Sequence, residues 1–544
     1  MRILLANLLW TGACIPGWLR FQWALRRPQA AQRTLRKHLL RSLRGAARTE
    51  RAGLESARRA GAWERMPIST WRDYAAFVPA IARGELSQLC SSPVRILEPT
   101  SGSTTNTKLI PYTDALQREF RAAIDPWILS LFLQRPGLLL TRQYWSVSPT
   151  TSCDALPDCA VPIGFEDDAA YLGAVGRWVR STLFTAPSWL RHVQDASAHE
   201  LLTLLCLVRD RRLGLISVWH PSMLELLLAA LLDRRAALAD CLRTGHLPAD
   251  AALTETQRAC FEAAHPPDPS RAEQFERALA PGGPGPAALW PRLAVISCWD
   301  EGRASSGAAA LRERFPRVWV QGKGLLATEG VVTIPLGDAK VCAVRSHVLE
   351  FREANSEDVQ PLESLVRGGE YEVLMSTGGG LVRYRLGDRV RCTGFVGRTP
   401  TLRFLGRLGG GCDLVGEKLE PAVVEQALQE LEDDGPLAFA MLTPADDQRG
   451  YVLWFEGQPC QEPEAMARRL DGALCAGYHY AHARRLGQLR AIEARPVSGA
   501  STRYRDALVA RGVKAGDIKQ TPLHPATFWT EVFMPARRRA QESR

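Results

Sequence analysis

Apolar positions along the chain fall into three patterns, and each predicts a different kind of element. At the N-terminus an uncharged run extends from Ile3 to Leu19, with Arg2 as its only preceding charge. The run is short for a membrane span and is interrupted by Pro16 and Gly17, so it predicts an amphipathic helix packed on the fold and no stable membrane insertion. From Arg20 to about Ala62, Arg, Ala, Leu and Gln dominate with few breakers, which predicts one or two helices. The stretch LELLLAALLDRRAALADCL, around Leu226 to Leu232, predicts a buried helix of ordinary length.

The second pattern is the short β-rich run bounded by turn residues, which predicts strands at 94–97, 213–219, 292–299, 317–324 and 330–336. Helical stretches separate these runs, so together they predict an α/β core with a largely parallel sheet. The Pro- and Gly-rich segment from Ala280 to Trp290 reads as a loop leading into the strand before Cys298. Strand patterns then succeed one another from Tyr371 to Arg407 with Gly-containing turns, predicting antiparallel hairpins. After Arg407 the pattern restarts with the helix KLEPAVVEQALQELEDD, two strands and further helices. This restart predicts a large N-terminal domain over residues 1–405 and a smaller C-terminal α+β domain over 406–544.

Composition narrows the class. At 544 residues, 46% hydrophobic and 23% charged, the chain exceeds one ordinary domain and carries no disordered tract of domain size. A net charge of +10 is modest over such a surface and calls for no nucleic-acid partner. Thirteen cysteines stand singly, without a CxxC pair, which fits a reduced, cytoplasmic setting better than a disulfide framework. His479 and His482 could share a helix face, but no companion ligand cluster lies nearby, so a structural or surface role is expected. Lysine is scarce: only Lys37, Lys108, Lys323, Lys340, Lys418, Lys514 and Lys519 occur, so each is a candidate for a particular task.

Four segments carry candidate chemistry. Residues 98–113, EPTSGSTTNTKLIPYT, set a strand, a hydroxyl-rich loop and Lys108 in series, which suits either a polyphosphate cradle or a polar surface loop. A Walker loop starting at Gly102 is excluded, because Thr107 and Leu109 stand where Gly and Ser or Thr are needed. QGKGLLATEG places Thr328 and Glu329 between strands, where a carboxylate could hold a metal beside phosphates. LVRYRLGD puts Asp388 at a turn ending a strand, able to bind a ribose diol or to cap the turn. FLGRLGGGCDLVGEKLEP has the glycines of a hinge, and KAGDIKQTP presents Lys514 and Lys519 from a Gly- and Pro-flanked loop.

In this order and spacing the segments resemble the auxin-responsive family of acyl acid amido synthetases, in its bacterial branch, within the adenylate-forming superfamily. The likeness extends through FQWALRRPQAAQRTLRKHLL, SVWHPSMLELLL and RLAVISCWDEG and so covers nearly the whole chain. It implies a large adenylate-forming domain of parallel α/β sheets with a small antiparallel β subdomain, and a hinged C-terminal domain. It also implies an enzyme that uses ATP and Mg²⁺ to activate a small-molecule carboxylic acid as acyl-AMP, then passes the acyl group to an amine, usually that of an amino acid. By the same resemblance Ser101, Gly102, Ser103 and Thr104 contact the ATP phosphates and Lys108 closes their loop. Thr328 and Tyr384 belong to the nucleotide-binding motifs, Glu329 helps hold Mg²⁺, and Asp388 binds the ribose hydroxyls. Arg407 sits at the hinge near the nucleotide, and Lys519 approaches the α-phosphate. The chain departs from the family's pattern at Thr105 and Asn106, where a Gly is often found, and at Leu325 to Ala327, where plant members favour an aromatic. Three alternatives stay open on the residues: a thiol acceptor, as in an acyl-CoA ligase; an inactive nucleotide-binding scaffold; and, resting only on Ile3 to Leu19, a basic membrane-surface protein anchored by the N-terminal helix. The acid substrate and the oligomeric state have no local signature.

Overall fold

The computed structural model describes residues 1–51, 54–100, 108–146, 159–164, 174–353, 356, 358–407, 411–432, 437–457, 462–511 and 520–534. Two compact units result: Met1–Pro99 with Leu109–Gly406, and Thr100–Lys108 with Arg407–Arg544.

A four-stranded parallel sheet anchors the larger unit, in the spatial order Arg142–Trp145, Leu213–Ser217, Val295–Cys298, Trp319–Gly322. Alternate side chains leave opposite faces of each strand, and here both faces are covered. Leu215 and Val295 enter one hydrophobic cluster, while Ile216, Ile296 and Val320 enter another. The second cluster is closed by the helices Ala196–Arg209, Pro221–Asp233, Arg235–Thr244 and Pro269–Ala278. A seven-stranded sheet lies in the same unit, in the order Val359–Pro361, Val348–Glu353, Glu370–Ser376, Tyr384–Val396, Thr399–Arg407, Ala339–Cys342, Thr333–Leu336. Its strands are built on antiparallel hairpins.

Several expectations change. The run at 94–97 does not join the parallel sheet: Val94–Pro99 pairs antiparallel with Leu109–Thr113, a strand whose proline-containing LIPYT pattern hides it. The run at 330–336 breaks into Gly330–Val331 and Thr333–Leu336, in two different sheets. The stretch containing Leu226 forms two helices that part at Arg234. The N-terminal helix runs unbroken from Arg2 to Arg26, through Pro16. It buries Ala6, Cys14, Phe21 and Ala24, and Gly17 lets it approach the helix Asp114–Gln134 closely, since a Cβ there would lie 2.9 Å from Asp125 Cβ. Tertiary packing of this face outweighs the proline. Among the described residues no helix is long and apolar enough to cross a membrane.

The smaller unit is built on a three-stranded sheet, with Leu437–Pro444 antiparallel and Glu493–Pro496 parallel to Tyr451–Gly457. Its strand residues alternate between two cores: Leu453 and Phe455 face one, Val452 and Trp454 the other. Helices Pro421–Glu432 and Pro463–Leu474 cover the first core and Ala500–Val509 the second.

Candidate active site

The acidic motif lies on a short hairpin, Leu326–Ala327 paired with Gly330–Val331, with Thr328 and Glu329 at its tip. Tyr112 donates a hydrogen bond from its hydroxyl to the Thr328 carbonyl at 2.6 Å, tying this tip to the strand Leu109–Thr113. Glu329 is 5% exposed, and its Oε1 accepts from the Tyr384 hydroxyl at 3.4 Å. Its second carboxylate oxygen accepts no hydrogen bond from the described residues. A buried carboxylate is costly unless its oxygens find cations or donors. Such an oxygen, hard and uncommitted, is the donor type that suits Mg²⁺.

Tyr384 is placed by its neighbours in sequence. Ser69 donates its N–H to the Arg383 carbonyl at 3.0 Å and accepts the Arg385 N–H at 2.9 Å, bracketing the tyrosine. Arg383 holds a left-handed backbone, φ 45°, and is buried, with its guanidinium 3.3 Å from Glu350 and 2.6 Å from the Met66 carbonyl. Arg385 pairs with Glu372 at 2.8 Å. The two arginines of the motif therefore hold the framework, and Tyr384 is the residue that reaches Glu329.

Asp388 is buried, but it does not end a strand. Tyr384–Val396 runs straight through it, and the register against Glu370–Ser376 shifts between Leu374↔Arg385 and Glu372↔Arg389. Gly387, at φ 83°, and Asp388 fall within this bulge, where a left-handed residue is needed and a side chain is re-aimed. The sequence pattern Gly-Asp is common to turns and bulges, which is why it suggests a turn.

Behind the hairpin lies a set that sequence reasoning missed. His347 is fully buried, its Nδ1 2.9 Å from Glu119 Oε2, and the same oxygen accepts the Gly378 N–H at 2.8 Å. A Cβ on Gly330 would lie 2.7 Å from His347 Nε2 and 2.5 Å from Met375 Sδ, so only glycine fits beside Glu329. Gly330→Ala is expected to cost about 1–3 kcal/mol of stability by overpacking, read as a lower urea midpoint. No local motif marks His347; only its position behind the hairpin does.

At the hydroxyl-rich loop, Thr100 donates its N–H to the Lys108 carbonyl at 2.8 Å, and the Lys108 N–H donates to Thr100 Oγ1 at 3.3 Å. Ser101, Gly102, Ser103 and Thr104 lie outside the described residues, as does Lys519. Arg407 ends the strand Thr399–Arg407, and its side chain is outside the description. In the prospective hinge segment, Glu417 is buried and accepts N–H bonds from Leu414 at 2.7 Å and Val415 at 2.8 Å, and Tyr451 donates its hydroxyl to it. Burial raises its carboxyl to about 7.

The carboxyl ends of the parallel strands gather a second group. Lys323 follows the strand Trp319–Gly322 and donates from Nζ to Ser217 Oγ at 2.7 Å. Trp127, Trp145 and Trp219 surround that ammonium, with ring centroids at 4.9, 5.5 and 5.5 Å. In open α/β sheets ligands bind at the carboxyl ends of strands. Burial without a carboxylate partner pushes Lys323 down to about 7, while the indole faces favour the cation. An unfolded lysine titrates near ~10.4, so below pH ~7 both states are protonated and the fold bears the full cost of the buried charge. From about 7 upward the folded lysine sheds its proton first, and stability rises with pH until the unfolded lysine follows. Lys323→Met, which fills the cage without charge, is therefore expected to stabilise most below about pH 7, with its advantage narrowing toward pH ~10. Urea melts of both proteins at several pH values measure this.

Comparison with known proteins places this geometry. Residues 19–320 match the GH3 family N-terminal domain and residues 342–407 the GH3 family central domain. The chain is 26% identical to "Probable indole-3-acetic acid-amido synthetase GH3.12" of Oryza sativa subsp. japonica, covering 92% of each. It is 29% identical to the "GH3 domain-containing protein" of Homo sapiens over 39% of this chain and 47% of that one. Among solved structures, "AtGH3.15 acyl acid amido synthetase in complex with 2,4-DB" superposes with a TM-score of 0.65 at 19% identity, covering 96% of this chain and 95% of the other. A 2-hydroxyisobutyryl-CoA ligase superposes with a TM-score of 0.52 at 11% identity, covering 95% and 92%. At these identities the structural likeness concerns the fold. The pattern that covers more than half of the sequence decides the family: this chain belongs to the GH3 family.

Proposed function

We propose that the chain is an ATP-dependent acyl acid amido synthetase, a ligase that forms C–N bonds by way of an acyl adenylate. Family membership supports the class of reaction, and one observation carries it to this chain's own residues: Glu329 is buried against Tyr384 yet keeps a carboxylate oxygen uncommitted among the described residues. A folded remnant without activity would have no reason to keep such a carboxylate in its interior, given what burial costs.

In the first half-reaction an oxygen of the acid attacks the α-phosphorus of ATP, the bond to the bridging oxygen of the β-phosphate breaks, and pyrophosphate leaves. In the second, the amine nitrogen attacks the acyl carbon, the bond to the AMP oxygen breaks, and the nitrogen loses a proton. The work assigned to this chain is electrostatic and positional. Ser101, Gly102, Ser103 and Thr104 hold the phosphates with backbone N–H groups and hydroxyls, and Lys108 closes their loop. Asp388, aimed by the bulge at Gly387, takes the ribose hydroxyls. Glu329, oriented by Tyr384, would hold Mg²⁺, which when bound neutralises charge on the phosphates. Lys519 approaches the α-phosphate from the C-terminal domain. Arg407 sits at the hinge between 1–405 and 406–544, a reading supported by the division of the compact units after Gly406. The site works on small-molecule acids and amino acids in the cytoplasm. Described cysteines that are all free thiols agree with that setting.

The acceptor is tested by supplying ATP, Mg²⁺, a panel of carboxylic acids and either mixed amino acids or coenzyme A, with mass spectrometry of the products. Amides in the first mixture and no thioester in the second are expected. Thioester alone would overturn the amine assignment and leave adenylation standing.

A further inference from the structure

The N-terminal helix has two apolar faces, and the fold uses only one. Ala6, Thr11, Cys14, Phe21, Ala24 and Leu25 are buried against the large unit. At 100° per residue, the exposed positions Leu5, Leu8, Leu9, Ile15, Leu19 and Trp23 fall on the opposite side, in a stripe about 120° wide. Each of the six is at least 44% exposed, and Gly12 on the same side faces open space. Between Leu5 and Trp23 the one charged residue is Arg20, which stands at the edge of the stripe, about 20° beyond Leu9. Elements packed beside the helix add to it: Ala174–Leu183 exposes Val175 and Trp178, and the turn Pro136–Leu140 exposes Leu140. Among the described residues, most of the exposed large apolar side chains thus collect around one helix. Patches of this kind mark interaction surfaces.

Charge indicates what covers it. The first 49 residues contain ten Arg and Lys and no Asp or Glu, so they account for the whole net charge of +10 and the rest of the chain is balanced. Arg20 and Arg26 belong to the apolar helix itself and are exposed. On the next helix, Pro28–Ser42, and just beyond it, Arg33, Lys37, Arg41 and Arg44 are exposed at steps of three or four, one basic ridge. An apolar stripe with basic residues on the same and the adjoining helix is the pattern of helices that lie in the interface of anionic lipid bilayers. A protein partner would require acidic complementarity of its own and would leave the length of the uncharged stripe without a purpose.

We propose that this face docks the folded enzyme on anionic membrane surfaces, with the stripe from Leu5 to Trp23 in the headgroup boundary and the basic ridge on the lipid phosphates, without crossing the bilayer. The full chain should float with vesicles of phosphatidylglycerol mixed with phosphatidylcholine, bind vesicles of phosphatidylcholine alone at least tenfold more weakly, and be released by high salt. Leu8→Glu with Leu19→Glu should lower the bound fraction at least tenfold. Arg33→Ser with Lys37→Ser and Arg41→Ser should weaken binding about a hundredfold on anionic vesicles and little on neutral ones, since each basic residue strengthens such binding about fivefold. Vesicle-free thermal unfolding and acid-dependent adenylation should match wild type in both variants. If the glutamate pair misfolds, Leu5→Ser with Leu9→Ser gives the same readout without added charge. Failure of the wild type to float, or flotation that the leucine variants keep, overturns the proposal. So does a vesicle-free doubling of mass by light scattering that the same variants abolish, which would assign the face to a second copy of the chain.

Discussion

Glu329→Gln is expected to lower acyl-adenylate formation on the order of 10²-fold while leaving the fold intact. The substitution keeps shape and keeps a carbonyl oxygen for the Tyr384 hydroxyl, which now stands 3.4 Å from Oε1. What it removes is one negative charge in the site proposed to gather a divalent cation and a polyphosphate. The buried position magnifies that loss, because charge–charge interactions are stronger and less screened where the local dielectric is low. The thermal midpoint should stay close to wild type or rise, since an uncompensated buried carboxylate is itself unfavourable. Tyr384→Phe separates orientation from charge: it keeps the carboxylate and loses the hydroxyl, so the expected loss is about tenfold. A Glu329→Gln variant that adenylates at the wild-type rate would remove this residue from the reaction.

The second large effect is expected at Lys519. Lys519→Ala should reduce adenylation by about 10²–10³-fold, because a cation at the α-phosphate stabilises charge that grows only in the transition state. The same variant, given acyl-AMP made beforehand, should transfer the acyl group to the amine at a rate within a few-fold of wild type, roughly. Stability should be unaffected within about 0.5 kcal/mol. Equal losses in both half-reactions would point to a structural defect, and equal retention would place the catalytic cation elsewhere. Lys323 is then the first alternative, since it reaches the carboxyl ends of the parallel strands with Ser217 as its hydrogen-bond partner, whereas Lys340 there is held by Asp300 and Glu301.

Much of this arrangement was legible before the structure, for physical reasons that differ from place to place. The strands at 213–217 and 295–298 announce themselves because burial on both faces forces a continuous apolar run. Two of the three strands of the smaller unit, Leu437–Pro444 and Tyr451–Gly457, do so as well, each followed by turn residues. Arg142–Trp145 does not, since RQYW carries no such run; its Gln143 is fully buried, accepting from the nearby Trp145 and donating to Asn7 Oδ1 at 3.4 Å, a bond that only the tertiary fold supplies. LIPYT at 109–113 hides behind its proline, and the antiparallel partnership with 94–99 is a long-range choice that no local pattern fixes. At the site, Glu329 and Tyr384 were found as motif members, yet their contact across 55 residues was not visible. Gly387-Asp388 reads as a turn in the sequence because a bulge uses the same Gly-Asp chemistry. The Lys323 cage was out of reach altogether: its three tryptophans come from a helix, a strand end and a loop, and only the closing of the sheet brings them together.

The most direct test of the central claim is exchange of labelled pyrophosphate into ATP, measured with the intact chain and Mg²⁺ across aromatic and aliphatic carboxylic acids. Adenylation predicts exchange that requires an acid and falls on the order of 10²-fold in Glu329→Gln. Absence of exchange with every acid in a protein that binds ATP, or exchange indifferent to acid and to Glu329, would contradict it.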